Sequence, residues 1–132
     1  MADPPVTQPP PRPGAFYSPV VSAGGWVVTA GQLGVVRGED GSTRLVEGGT
    51  VPQLRQALAN VRAVLESVGC DLSLVVKATL FLTDMADFAA ANEVWVEAFG
   101  DHRPARTAVC VVSLPLGAAV EVEAWAWSGP PG

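Results

Sequence analysis

Apolar residues recur at helical spacing in the middle of the chain. Five of them follow one another at steps of four, three, four and three: Leu54, Leu58, Val61, Leu65 and Val68. This spacing places them on one face of an amphipathic helix. Thr50 and Gln53 have the spacing of a capping box, and Pro52 suits the first turn, so we expect the helix to begin at Thr50. Gly69 then predicts its end.

A second helix is predicted after a pair of aspartates. Asp84 and Asp87 carry carboxylates that suit the positive end of a helix dipole. The residues that follow at helical spacing, and would face inward, are Phe88, Ala91, Trp95 and Phe99. Gly100 predicts the end of this helix.

Strand-like stretches surround the two helices. Runs rich in β-branched and apolar residues occupy residues 26–33, 74–82, 105–114 and 118–127. Residues 35–49 carry four glycines and predict a hairpin or loop, and the turn at 115–117 predicts that the last two strands form a hairpin. This order predicts an α+β fold with a mixed, mainly antiparallel sheet and two helices on one face. No helix remains for the other face, so we expect a partner subunit there.

Composition also favours an oligomer. The 132 residues are 48% hydrophobic and only 16% charged, which is more apolar material than a small monomer buries easily. Proline-rich ends, residues 1–14 and 128–132, are predicted to be mobile tails, which leaves one domain over residues 15–127.

Charge and motif content exclude several classes of function. The net charge is −5 and no basic run is present, which argues against a nucleic-acid partner. The one histidine and the two isolated cysteines, Cys70 and Cys110, predict neither a metal site nor a Ser–His–Asp triad. No signal peptide or membrane-length apolar stretch is found, so we expect a soluble, cytoplasmic protein with reduced thiols.

Arg106 is the first candidate for chemistry. Strand alternation places it on one face with Ala108, Cys110 and Val112, in an otherwise apolar strand. A planar guanidinium beside a small side chain suits a carboxylate ligand. The alternative is a structural arginine that is paired with a glutamate or a chain end.

Other polar residues on apolar elements are candidates as well. Glu121 and Glu123 share one face of the last strand, where burial would raise a carboxyl pKa and suit proton transfer; the alternatives are a solvent-facing edge or a salt bridge. Asn92 lies on or beside the apolar stripe of the second helix, and it either bonds nearby backbone or reaches a ligand. Tyr17 is either a core ring with its hydroxyl at the rim or part of a site.

Several segments together resemble a known family. Residues 99–107 read Phe-Gly-Asp-His-Arg-Pro-Ala-Arg-Thr, and residues 114–124 read Leu-Pro-Leu-Gly-Ala-Ala-Val-Glu-Val-Glu-Ala. Upstream come Tyr-Ser-Pro at 17–19, Thr-Ala-Gly-Gln at 29–32, Asn-Val at 60–61 and Val-Lys-Ala-Thr-Leu-Phe-Leu-Thr-Asp-Met-Ala-Asp-Phe at 76–88. In order and spacing these motifs are similar to those of the RidA (YjgF) family.

The resemblance implies a chorismate-mutase-like fold and a homotrimer with three clefts between subunits. It implies a deaminase that hydrolyses 2-iminopropionate and related imines, formed from 2-aminoacrylate, to the keto acid and ammonia without a cofactor. Arg106 would then bind the substrate carboxylate with the backbone of Gly31. Glu121 would stand near the attacking water, with Tyr17 lining the pocket and Asn92 supporting the cleft.

Two positions depart from the family pattern. Ala30 stands where many deaminases have serine, and Ala108 stands where some have cysteine. Both residues are expected to line the substrate pocket. Two alternatives therefore stay open: a deaminase dedicated to a larger enamine such as 2-aminomuconate, and a non-catalytic trimer that binds small carboxylates.

Overall fold

The computed structural model describes residues 6–7 and 15–130. Two helices are present, α1 (Thr50–Glu66) and α2 (Phe88–Phe99), and neither they nor any other helix in this part of the chain could span a membrane. The strands are β1 (Val6–Thr7), β2 (Val20–Ala23), β3 (Trp26–Thr29), β4 (Gln32–Leu33), β5 (Val35–Arg37), β6 (Thr43–Leu45), β7 (Val75–Leu82), β8 (Ala105–Cys110) and β9 (Val120–Trp127). The predicted α+β class and the β5–β6 hairpin are confirmed.

One seven-stranded sheet organises the molecule. Its order is β1-β2-β3-β9-β7-β8, and β4 also pairs with β9. Every pairing is antiparallel except that of β7 with β8. The predicted hairpin between the last two strands is wrong, because β7 lies between β8 and β9. The connection from β7 through α2 to β8 is a crossover, which makes these two strands parallel.

The helices begin where the sequence predicts, but not by the predicted capping box. Gly49 is the N-cap of α1 and no side chain caps it. Thr50 instead donates from Oγ1 to Oδ2 of Asp87 at 2.7 Å, which joins the starts of the two helices. Gln53 accepts at Oε1 from the backbone N–H of Ala119 at 2.8 Å. Both polar side chains thus make tertiary contacts instead of local ones.

We expect the replacement Gln53→Leu to destabilise the fold. Gln53 is buried, so leucine would leave the N–H of Ala119 without a partner, at a cost of about 1–3 kcal/mol. Thermal unfolding should show a Tm lower by about 4–10 °C. Arg62→Gln on the same helix is the control, because its exposed pair with Glu66 contributes about 0.5 kcal/mol or less. Equal Tm values for the two variants would contradict the assignment.

The core lies between the helices and one face of the sheet. The residues buried there from α1 and α2 include Leu54, Leu58, Val61, Leu65, Ala91, Trp95 and Phe99, and those from β7 and β9 include Ala78, Leu80, Val120, Val122 and Ala124. Within residues 15–130, no helix covers the opposite face of the sheet. Trp26 and Trp125 meet edge to face there, with 39% and 45% of their surfaces exposed.

Of the two predicted tails, residues 1–5, 8–14 and 131–132 lie outside the described residues. In the N-terminal segment, β1 pairs with β2, with Val6 opposite Ala23. At the other end, the N–H of Ser128 donates to the carbonyl of Gly25 at 2.8 Å, and Nε1 of Trp127 donates to the carbonyl of Pro130 at 2.8 Å. The first bond joins Ser128 to the β2–β3 hairpin, and the second lies within residues 127–130.

Candidate functional site

Arg106 projects from the edge strand β8 toward helix α2. It pairs in register with Ala78, a core residue of β7, so its side chain lies on the helix face of the sheet. Its Cζ lies over the rings of Phe88 and Trp95, at 5.4 and 5.1 Å from their centroids. Across residues 15–130, no carboxylate lies within salt-bridge distance of Arg106. The structural alternative, an arginine paired with a glutamate, is therefore absent from this part of the chain.

The surroundings of Arg106 include one unsatisfied acceptor. Asn92 lies between Phe88 and Trp95 on the same face of α2, at steps of four and three residues. Its Oδ1 is buried and has no hydrogen-bond partner among the residues that the structure describes. Ala108, half-buried against the core, follows Arg106 on the same face of β8. Burial lowers the pKa of Arg106 from its usual value, yet the guanidinium stays charged at neutral pH.

Glu121 lies on the other face of the sheet. It pairs in register with Phe81 of β7, three residues along from Ala78 and therefore on the opposite side. Its carboxylate rests on Gly31: a Cβ built at Gly31 would lie 1.8 Å from Oε1 of Glu121. Only glycine leaves room for the carboxylate in this place. Burial, and then the nearby charge of Glu123, raise the pKa of Glu121 above its usual value.

Gly31 borders an open cavity of about 680 Å³. Its lining includes Tyr17, Pro19, Gly31, Leu33, Asn60 and Leu116. Tyr17 is 68% exposed, so it is a rim residue and not a core ring. Ala30 lies next to Gly31 in the chain and is held by a 2.8 Å bond from its N–H to the carbonyl of Pro19.

Asn60 fixes the wall of this cavity. Its Nδ2 donates to the carbonyls of Leu33 and Val35, both at 2.9 Å, and its Oδ1 accepts from Gln56 at 2.9 Å. A helix side chain thereby holds the chain between β4 and β5. The Asn-Val motif at 60–61 was visible in the sequence, but the pattern gave no indication of this role.

One chain therefore carries two separate groups of candidate residues. The first group, on the helix face at β8, contains Arg106, Asn92 and Ala108; the second, at β4, β9 and the cavity, contains Tyr17, Ala30, Gly31 and Glu121. Arg106 and Glu121 lie two strands apart, about 10 Å by strand spacing alone, and point to opposite sides of the sheet. A single protomer does not bring them together.

The remaining candidate side chains have structural roles or hold no ligand set. His102 bonds the carbonyl of Val75 through Nε2 at 2.7 Å, so it has a structural role. Among the described residues, no group of three or more His, Cys, Asp or Glu side chains is arranged to hold a metal ion. Phe88 and Trp95 were predicted only as core residues, and their contact with Arg106 had no signal in the spacing.

Comparison with known proteins identifies the family of the chain. The profile of the family described as Endoribonuclease L-PSP matches residues 7–128. The chain belongs to this family. The solved structures that resemble it include members named RidA and YjgF, so the resemblance noted from the motifs is confirmed.

Individual members of the Endoribonuclease L-PSP family are similar over most of their length. The 2-iminobutanoate/2-iminopropanoate deaminase of Capra hircus is 43% identical over 114 residues, which are 86% of this chain and 81% of the goat protein. A RutC family protein of Pyrococcus horikoshii is 41% identical over 117 residues, 89% of this chain and 90% of its own. The structure of E. coli TdcF with bound serine superposes with a TM-score of 0.77 at 34% identity, covering 86% of this chain and 88% of that one.

Proposed function

We propose that this protein is a cofactor-independent imine deaminase. It hydrolyses 2-imino acids such as 2-iminopropanoate, derived from 2-aminoacrylate, to the 2-keto acid and ammonia. The observation that carries the proposal is the guanidinium of Arg106, which is half-buried on an apolar face, meets no carboxylate of residues 15–130 and is available to a substrate carboxylate. The deaminase relatives and the serine bound to E. coli TdcF support the same class of ligand.

The active unit of the proposal is a homotrimer with the chorismate-mutase-like arrangement, in which the uncovered sheet faces pack together. The exposed tryptophans on that face, Trp26 and Trp125, support such burial, as does Val109 on β8. Each cleft would combine Arg106, Asn92 and Ala108 of one subunit with the group at Tyr17, Ala30, Gly31 and Glu121 of the next. The opposite orientations of Arg106 and Glu121 support a shared site.

In the proposed reaction, each residue has one task. Arg106 binds the substrate carboxylate in a fork of two N–H bonds, assisted by the backbone N–H of Gly31. Glu121 accepts a proton from water as the water oxygen attacks the imine carbon, and it passes this proton to the nitrogen. The resulting carbinolamine then gives its hydroxyl proton to the same nitrogen, again through Glu121, as the C–N bond breaks. The C=N bond becomes C=O, water is consumed, and ammonia leaves. Asn92, whose buried Oδ1 has no partner within the described residues, supports the cleft, and Tyr17 lines the pocket.

This mechanism predicts a pH dependence. Glu121 must be ionised to accept a proton, and its pKa is raised by burial and by Glu123. The rate should therefore fall as the pH drops through that raised pKa, at a higher pH than for an ordinary glutamate. Glu123→Gln removes the neighbouring charge, so the acid limb of a kcat/KM–pH profile should move to lower pH. An acid limb that stays at the same pH, or moves to higher pH, would contradict the role of Glu121.

The test of the function is a coupled assay. A PLP-dependent dehydratase acting on serine supplies 2-aminoacrylate, and pyruvate release is measured with and without this protein. Faster release supports the proposal. No acceleration, together with pyruvate binding by calorimetry, would favour a non-catalytic carboxylate-binding trimer, and activity confined to 2-aminomuconate would favour a dedicated enzyme. The ribonuclease activity in the family description has little support in a chain of net charge −5.

We also propose a cytoplasmic location. The two cysteines are free: Cys70 is buried, Cys110 is exposed, and they do not pair. Free thiols, one of them exposed, are typical of a reducing compartment.

A further inference from the structure

The guanidinium of Arg106 is held by aromatic rings. Phe88 and Trp95 are seven residues apart on α2, so they project from the same face of the helix. Both centroids lie within the range at which a cation is attracted to a ring face. Trp95 is 4% exposed and packs on Phe99, with 4.9 Å between ring centroids, which fixes its orientation.

Contact with aromatic rings instead of a carboxylate affects what Arg106 can bind. A carboxylate partner would accept the pair of parallel N–H bonds that a substrate carboxylate also needs, and it would cancel the positive charge. An aromatic ring attracts the cation without taking those bonds and without carrying a net charge. The side chain of Arg106 is thus held in place while its charge stays available.

We propose that Phe88 and Trp95 are positioning residues for Arg106, an aromatic clamp that orients the guanidinium toward the substrate carboxylate. The proposal rests on the function assigned above. It goes beyond that function because it assigns carboxylate affinity in part to two apolar residues that never need to touch the reacting atoms.

The test compares Phe88→Leu with Phe88→Tyr in the coupled assay. Leucine keeps most of the apolar volume but has no ring, whereas tyrosine keeps the ring. We expect Phe88→Leu to raise KM about three- to tenfold, from the loss of one cation–π contact, while kcat stays within about twofold. Phe88→Tyr should restore a KM within about twofold of the unmodified value. Trp95→Leu should act like Phe88→Leu, and Trp95→Phe should recover part of the loss.

Val94→Ala is the matched control for destabilisation. Val94 is buried on the same helix, but it has no aromatic ring; the rings over Arg106 are those of Phe88 and Trp95. It should lower Tm and leave KM unchanged. The clamp would be overturned if the KM of Phe88→Leu equalled that of the unmodified protein. It would also be overturned if Val94→Ala raised KM as much as Phe88→Leu does.

Pyruvate binding by calorimetry separates this inference from the proposed function. If the unmodified protein binds pyruvate but hydrolyses no imine, the proposed function fails, and weaker pyruvate binding in Phe88→Leu still supports the clamp. If imine is hydrolysed with the same KM in all ring variants, the clamp fails and the function stands. Absence of both hydrolysis and pyruvate binding overturns the two together.

Discussion

Arg106→Ala is expected to lower kcat/KM for imine hydrolysis about 100-fold or more. Alanine removes the charge and both N–H donors that the substrate carboxylate would use, and losing one partner of a buried charged pair costs about 2–5 kcal/mol. The coupled pyruvate assay measures the loss. Arg106→Lys is the matched control, because it keeps the charge without the planar fork. Its kcat/KM should lie between that of Arg106→Ala and that of the unmodified protein.

The fold should survive the loss of Arg106. The side chain lies at the edge strand β8 and makes no salt bridge within residues 15–130, so Tm and the oligomeric state should remain close to those of the unmodified protein. An Arg106→Ala variant that keeps its trimer and its full activity would remove the guanidinium from the mechanism.

The second large effect is recovery of activity on mixing two inactive proteins. Arg106→Ala and Glu121→Gln should each be inactive as homotrimers, since each lacks one half of every cleft. Dissociating and reassembling them in equal amounts should restore about one quarter of the unmodified activity. A cleft is complete only when an intact Arg106 meets an intact Glu121 from the neighbour, and each condition holds in half of the positions.

The matched control for this experiment is a double variant. Arg106→Ala/Glu121→Gln subunits, mixed with either single variant, supply no complete cleft and should restore nothing. Recovery in that mixture would point to contamination or subunit-independent activity. A failure of the two single variants to complement, despite proven subunit exchange by mass spectrometry, would place Arg106 and Glu121 in the same protomer's site.

Periodicity was sufficient for the helices but not for the strand order. The apolar steps from Leu54 onward, and those from Phe88 onward, located both helices because a buried helical face requires them. Neighbouring strands in the sequence are a weaker guide. β8 and β9 follow one another, yet a central strand, β7, separates them, since the crossover through α2 places β8 at the edge of the sheet. Nothing local in the sequence encodes that choice.

The candidate site, too, could be predicted from the sequence only in part. Strand alternation correctly placed Arg106 with Ala108, and Glu121 with Glu123, because side-chain direction follows from position alone. Alternation does not say which face of β8 corresponds to which face of β9. The two rings over Arg106, and the fit of Glu121 against Gly31, depend on long-range packing. They appear only when the sheet is assembled.

The sheet that separates Arg106 from Glu121 has a genetic consequence. In the proposed cyclic trimer every subunit borders two clefts, and it would give its arginine to one and its glutamate to the other. A subunit defective in both residues would therefore silence both of the clefts that it borders, which are two of the three in the trimer. An allele encoding it would be dominant negative when co-expressed with the normal copy, whereas two alleles with single, different defects would complement in the same cell.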